Sequence, residues 1–197
     1  MKSKRVLSSI VVIPSVVVLV GAVLSGPAAA SSPTSTTRNR PFTITSPDFS
    51  NYGPLPTSSA YAADGCGGKN LAPTLLWSDV PTGTKSFAFA IVDVSAPVAA
   101  GFHHWVVYNI PGPVRELAGH GQNPYSEGTN DFHHVGYGGP CPPPGGEIHD
   151  YVFQLYALDV SDIAGQHLTY QELMQKIARD VVGVAVTIGT YVNNAPA

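Results

Sequence analysis

The chain has 197 residues, 10 Lys and Arg against 13 Asp and Glu, a formal net charge of −3 and only 12% charged residues. That balance excludes the clustered basic surface through which proteins neutralise nucleic-acid phosphates. Seven histidines and two cysteines leave small-molecule recognition, metal binding and hydrolysis as the classes to be weighed.

Residues 1–30 read as a secretory leader. Lys2, Lys4 and Arg5 precede an apolar run from Ile10 to Leu24, and Pro27-Ala28-Ala29-Ala30 offers an A-x-A cleavage site. An uncleaved anchor is the rival reading, against which the run is shorter than the roughly 20 apolar residues of a spanning helix. Cleavage removes three of the ten basic residues and none of the thirteen acidic ones, which moves the formal charge from −3 to −6. Residues 31–40 are polar and rich in Ser and Thr, as expected of a flexible linker. Residues 41–197 then form one domain.

Within that domain, short apolar runs alternate with dense turn chemistry. FTIT (42–45), TLLW (74–77), SFAFAIVDV (86–94), HWVVYNI (104–110), YVFQLYALD (151–159) and VGVAVTIGTYV (182–192) are predicted strands. Both faces of 87–93 are apolar, so that strand should be central and covered on both sides, in a layered, mainly β architecture. A helix is predicted over 169–181, where Leu173, Ile177 and Val181 share a stripe and Thr169 with Glu172 forms a capping box. The stretch from Pro111 to Pro144 has little strand character and suits functional or mobile loops, with Pro111–Asp131 the candidate partner-facing segment.

The densest chemistry lies in GYGGPCPPPGGEIHDY (136–151). Alternation along the strand that follows the Gly/Pro loop puts His149 and Tyr151 on one face with Phe153 and Leu155. Pro142, Pro143 and Pro144 stiffen the loop beside them. Asp93 ends one neighbouring apolar run and the pair His103-His104 begins another, and alternation separates those two histidines. After export, Cys66 and Cys141 meet oxidising conditions, so a disulfide is expected, two separate buried thiols being the alternative.

Several motifs occur in an order that resembles the phosphatidylethanolamine-binding protein family, in its bacterial branch of Raf-kinase-inhibitor-like proteins. They are SPDF (46–49), GCGGKNLAPTLLWSDVPTGTKSFAFAIVDVSAP (65–97), HHWVVYNIP (103–111), NDFHHVGYGGPCPPPG (130–145) and HDYVFQLYALD (149–159). The resemblance implies a large central sheet packed against a smaller one with a few peripheral helices. It also implies a non-catalytic pocket for a phosphate or phospholipid head group, lined by Asp93, His104, Pro142, Pro143, His149 and Tyr151, with no cofactor. The family's D-P-D-A-P reads D-V-S-A-P here, which leaves Asp93 as the single acid, and its H-R-Y reads His149-Asp150-Tyr151.

No Lys or Arg falls in these pocket motifs, so anion donors must come from imidazoles, the Tyr151 hydroxyl and backbone amides of the Gly-rich loop. Asp93 is expected to orient and charge His104, while His149 and Tyr151 donate to the ligand. Phe102, Trp105, Phe132 and Tyr137 offer an apolar approach for a lipid. His103, His133 and His134 read as loop or rim residues. The expected product is thus a secreted, disulfide-bearing binding protein that takes a phosphate-bearing small molecule or head group and modulates a protein target. Two alternatives come from other classes. One is a protease or kinase inhibitor acting through surface loops; the other is a weak hydrolase using the Asp/His cluster with Ser95, without a G-x-S-x-G elbow. A metal site lacks recognisable ligand spacing.

Overall fold

Strand formation follows the β-branched and aromatic runs. The computed structural model describes residues 40–118 and 124–194, so the leader and the linker up to Asn39 lie outside them. In chain order the elements are β1 (Thr43–Thr45), β2 (Gly53–Pro54), a 3₁₀ turn (Thr57–Ser59), β3 (Leu75–Ser78), β4 (Ser86–Asp93), β5 (Phe102–Pro111), β6 (Glu116–Leu117), β7 (Ser126–Glu127), β8 (His149–Leu158), α1 (Tyr170–Ile177) and β9 (Val181–Tyr191). All six predicted strands are present. The additional strands β2, β6 and β7 are two residues long, too short to carry a periodic signal.

Two sheets result, a six-stranded one in the order β2-β9-β8-β4-β5-β7 and a three-stranded one in the order β1-β3-β6. Pairing is antiparallel throughout except between β2 and β9. β4 lies between β8 and β5 and is buried at every position, as its two apolar faces require. The inner face of the large sheet carries Phe87, Phe89, Trp105, Tyr151, Phe153 and Leu155. These pack with Ile44, Leu75, Trp77 and Leu117 of the smaller sheet. The outer face carries Ala88, Val106, Tyr108 and Leu158, against which α1 sets Leu173 and Ile177.

The helix is shorter than its sequence pattern. Its capping box forms as expected: the Thr169 hydroxyl accepts from the Glu172 N–H, and the Glu172 carboxylate accepts from the Thr169 N–H. It ends at Ile177, because the Asp180 N–H bonds the Ile177 carbonyl and Val181 enters β9, paired with Leu158. Val181 therefore packs as a strand residue and is not a third helical anchor.

One irregularity decides the site. Along β4 and β5, Ile91 pairs with Trp105 but Val92 pairs with His103, so one residue of β5 bulges between them. Plain alternation would group His104 with Val106 and Tyr108 on the outer face. The bulge instead turns His104 inward, where its ring meets the inner-face Tyr151 at 5.1 Å, and turns His103 outward onto Tyr170 at 4.2 Å.

Candidate functional site

The inner core runs out at the end of the large sheet where β4 stops, β5 begins and β8 begins. There a cavity of about 150 Å³ opens, lined by Asp93, Ala96, Pro97, Phe102, His104, Phe132, Cys141, Pro142, Pro143 and His149. Five of the six residues expected at a pocket thus share one wall. The sixth, Tyr151, lies fully buried beneath it, outside the lining.

The carboxylate is fully engaged. Asp93 Oδ2 accepts from His149 Nδ1 at 2.7 Å, and Oδ1 accepts from the backbone N–H groups of Ser95 and Ala96 at 2.9 and 3.1 Å. This corrects the expectation that Asp93 orients His104. Asp93 pairs directly with Tyr151 in the β4–β8 register, so its side chain reaches the same-face diagonal neighbour on β8, which is His149.

His104 is held differently. Its Nδ1 lies 2.7 Å from the Gly138 carbonyl oxygen, an atom that only accepts, so Nδ1 carries the proton and Nε2 the lone pair. Burial pushes the ring from 6.5 down to about 4, against the opposing pull of the Gly138 carbonyl, of Asp93, of the Gly139 carbonyl and of Asp131. Near neutral pH, His104 is therefore an uncharged acceptor. Burial, and after it the negative charge of Asp93, pushes the Tyr151 phenol far above its ordinary range. Its hydroxyl lies near Asp93 but completes no hydrogen bond of acceptable geometry, so it is a neutral O–H below the cavity floor.

The Gly-rich loop supplies shape, and three of its glycine amides are spent within the protein. The Gly136 N–H bonds the Gly128 carbonyl, the Gly138 N–H bonds the His104 carbonyl, and the Gly139 N–H bonds Asn70 Oδ1. For these three amides, this corrects the expectation that loop amides face the ligand. Glycine is required for packing at two of these positions. A Cβ on Gly138 would come within 2.5 Å of the Phe132 ring, and one on Gly139 would fall on the Ser59 carbonyl oxygen. Three asparagines, Asn130 and Asn193 buried and Asn70 half-buried, complete the mould. Asn70 Nδ2 donates to the Tyr137 carbonyl and Asn130 Nδ2 to the Gly136 carbonyl, while Asn193 Nδ2 donates to the carbonyl of Pro142. No periodic pattern marks such residues, and the sequence reading missed all three.

Cys66 and Cys141 are disulfide-bonded, joining segments 75 residues apart and tying Cys141, a lining residue, to the 60–70 loop. Phe102 and Phe132 form an apolar lip with rings 4.8 Å apart, whereas Trp105 and Tyr137 are core contacts of each other. His133 is exposed at the loop surface. Ser95 turns away from the cavity, its hydroxyl accepting the Asp150 N–H at 3.0 Å, so it cannot serve as a nucleophile there as placed. Among the described residues, no group of three or more His, Cys, Asp or Glu is placed to hold a metal ion. Likewise among the described residues, no helix is long and apolar enough to cross a membrane.

A two-sheet β protein with a small histidine-lined cavity at its strand ends is the class that fold and site define. Residues 45–192 match the family model of phosphatidylethanolamine-binding proteins. The chain belongs to that family and is one of its binding proteins. YbcL of Escherichia coli K12 is 41% identical over 130 residues, 62% of this chain and 71% of the relative. An Aquifex aeolicus protein is 46% identical over 132 residues, 64% and 77% of the two chains. The crystal structure of E. coli YbcL, described as a member of the mammalian family, superposes with a TM-score of 0.73 at 33% identity, covering 78% of this chain and 99% of that one. A Chlamydia trachomatis homologue gives 0.70 at 31% identity over the same shares.

Proposed function

We propose that this chain is an exported, non-catalytic binding protein whose cavity takes the phosphate-type group of a small molecule or phospholipid head group. The observation that carries the reading is the His149 ring, pinned through Nδ1 by Asp93 so that Nε2 is left for a ligand in a cavity of phosphate size. With His149 protonated, Nε2–H is a charge-assisted donor, and Asp93 supplies the compensating charge behind it. The apolar lip of Phe102, Phe132, Pro97 and Pro143 suits the organic part of such a ligand. The family description as phosphatidylethanolamine-binding proteins supports the same class of ligand.

Calorimetric titration with phosphoethanolamine and inorganic phosphate at pH 5.5 and 7.5 tests this. Binding should strengthen at pH 5.5 and disappear in His149→Ala; affinity that survives the substitution would refute the role given to His149. Export rests on the basic start, the apolar run and the Ala-rich site of residues 1–30. N-terminal sequencing of the released protein should begin near Ser31, and a chain retained inside the cell with Met1 intact would overturn it.

A further inference from the structure

The turn that joins β4 to β5 is apolar where solvent-facing segments are usually polar. From Val94 to Phe102 it reads VSAPVAAGF, with no charged side chain. Val94, Pro97, Val98, Ala99 and Ala100 are all exposed, the two valines at 54% and 52%. Where the family motif sets a proline and a second acid after Asp93, this chain has Val94 and Ser95. The change removes a carboxylate from a turn whose Ala96, Pro97 and Phe102 line the cavity. Much of the backbone of the turn is satisfied locally. The Val94 N–H bonds the Asp150 carbonyl, the Ser95 and Ala96 N–H groups bond Asp93 Oδ1, the Val98 N–H bonds the Ala96 carbonyl, and the Gly101 N–H bonds the Val98 carbonyl. Pro97 has no N–H to satisfy. A segment leaves water for an apolar layer only when its peptide groups bring their partners along. Among the described residues, nothing accepts from the Ala99 and Ala100 amides at the tip, which stay at the level of head groups and water.

Charge says which surface the turn suits. Among the described residues, no lysine or arginine lines the cavity or the recess behind the turn, where Asp131 stands among Val98, Ala99 and Gly101. Asp150 lies beside Ser95, whose hydroxyl accepts the Asp150 N–H. The chain as a whole carries a net negative charge. Anionic lipid is drawn to clustered lysine and arginine, so it gains nothing here. A protein partner is also a poor match, because a standard interface takes roughly 800 Å² from each side, more than one turn of small side chains offers. A lipid surface without net charge asks only for buried apolar area.

We propose that the 94–102 turn seats the protein on a zwitterionic lipid surface, with Val94, Pro97 and Val98 entering the interface beside the cavity so that a head group is met in the plane of the membrane. This rests on the anion-cavity reading above and names a lipid surface as the source of its ligand. Two weak contacts act together. The turn alone gives marginal, reversible seating, and a head group held in the cavity supplies the second anchor at high effective concentration.

The test is co-sedimentation with vesicles of phosphatidylcholine and phosphatidylethanolamine, run beside calorimetry with soluble phosphoethanolamine. The double substitution Val94→Asp and Val98→Asp alters two exposed positions and no residue of the cavity lining, so the melting temperature and the calorimetric titration should stay as they are. Vesicle affinity should fall roughly tenfold or more, as the apolar area of both valines is lost from the interface. Adding phosphatidylglycerol should weaken binding, and high salt should not release the protein. Equal vesicle binding by the double variant, or binding that rises with phosphatidylglycerol and falls with salt, would overturn the proposal. No vesicle binding by the unaltered protein would also overturn it: phosphoethanolamine heat would then leave the cavity reading standing with a soluble ligand, and its absence would remove both. Vesicle binding that depends on the two valines but comes without phosphoethanolamine heat would uphold the seating and overturn the cavity reading. A dimer in analytical ultracentrifugation that the same substitutions dissociate would assign the turn to a second copy and overturn the lipid surface.

Discussion

The two faces of the large sheet are built for different purposes. The inner face is sealed by a second sheet and filled with large rings: Phe87, Phe89 and Phe153 are at most 1% exposed, with Phe89 edge-on to Trp105 at 5.6 Å. The outer face uses small residues such as Ala88 and Val106 beneath one short helix, and along β9 it leaves Val182, Val184 and Val186 between 41% and 50% exposed. The cavity opens where the inner face ends, and its histidines inherit the rigidity of that face. The lesson is that the two histidines lining the cavity sit on the side of the sheet whose packing tolerates least.

Truncation inside the inner face should break this contrast most severely. Phe153 contacts Phe49 and Phe89 at centroid distances of 4.9 and 6.3 Å and stands two residues from Tyr151 on the same face. Phe153→Ala should cost about 3–5 kcal/mol, the loss of a large buried ring plus the void it leaves. Val184→Thr, on the exposed face of β9, should stay within about 0.5 kcal/mol. Urea denaturation measures both, and comparable losses would show that the outer face is as tightly specified as the inner.

The next effect is set by His104. The unfolded chain takes up a proton near pH 6.5, whereas the folded ring resists it until about pH 4. The unfolded state therefore binds more protons within that window, so stability is fully present above 6.5 and falls as the pH drops towards 4. The loss reaches about 3 kcal/mol. His104→Gln should flatten the stability profile between those limits, as followed by thermal unfolding at a series of pH values; an unchanged acid slope would mean that other groups govern it.

How much of this was legible before the structure divides along physical lines. The central place of β4 and the shared face of His149 and Tyr151 follow from period-two patterning, which survives folding because those strands pair regularly there. The partner of Asp93 was not legible, because it depends on a diagonal contact fixed by register between strands 56 residues apart. The face of His104 was hidden for another reason: one bulged residue reverses the alternation of β5, and a bulge has no signature in HHWVVYNI. Asn70 and Asn193, which shape the Gly/Pro loop, were missed because they answer to backbone carbonyls brought in from distant segments, and Asn130 because its local turn bond to Gly136 leaves no periodic pattern. Asn70 and Asn193 bracket that loop from 67 and 51 residues away.

The helix offers the mildest way to sharpen the contrast. The outer face depends on α1 for its only helical cover among the described residues, and at eight residues α1 is too short to be stable without its caps and packing. Thr169 holds the first turn through three bonds to Glu172: its hydroxyl accepts the Glu172 N–H and donates to the Glu172 carboxylate, and its own N–H donates to the same carboxylate. Thr169→Ala removes both bonds made by the hydroxyl and should cost about 1 kcal/mol. Tyr170 follows directly, and its ring stacks on His103, the outward member of the histidine pair. Fraying of the first turn should therefore raise hydrogen exchange at residues 170–173 and leave the His104 side of the strand protected. If protection at the cavity falls equally, the two faces are coupled through β5, and the bulge that separates the two histidines transmits disturbance between them.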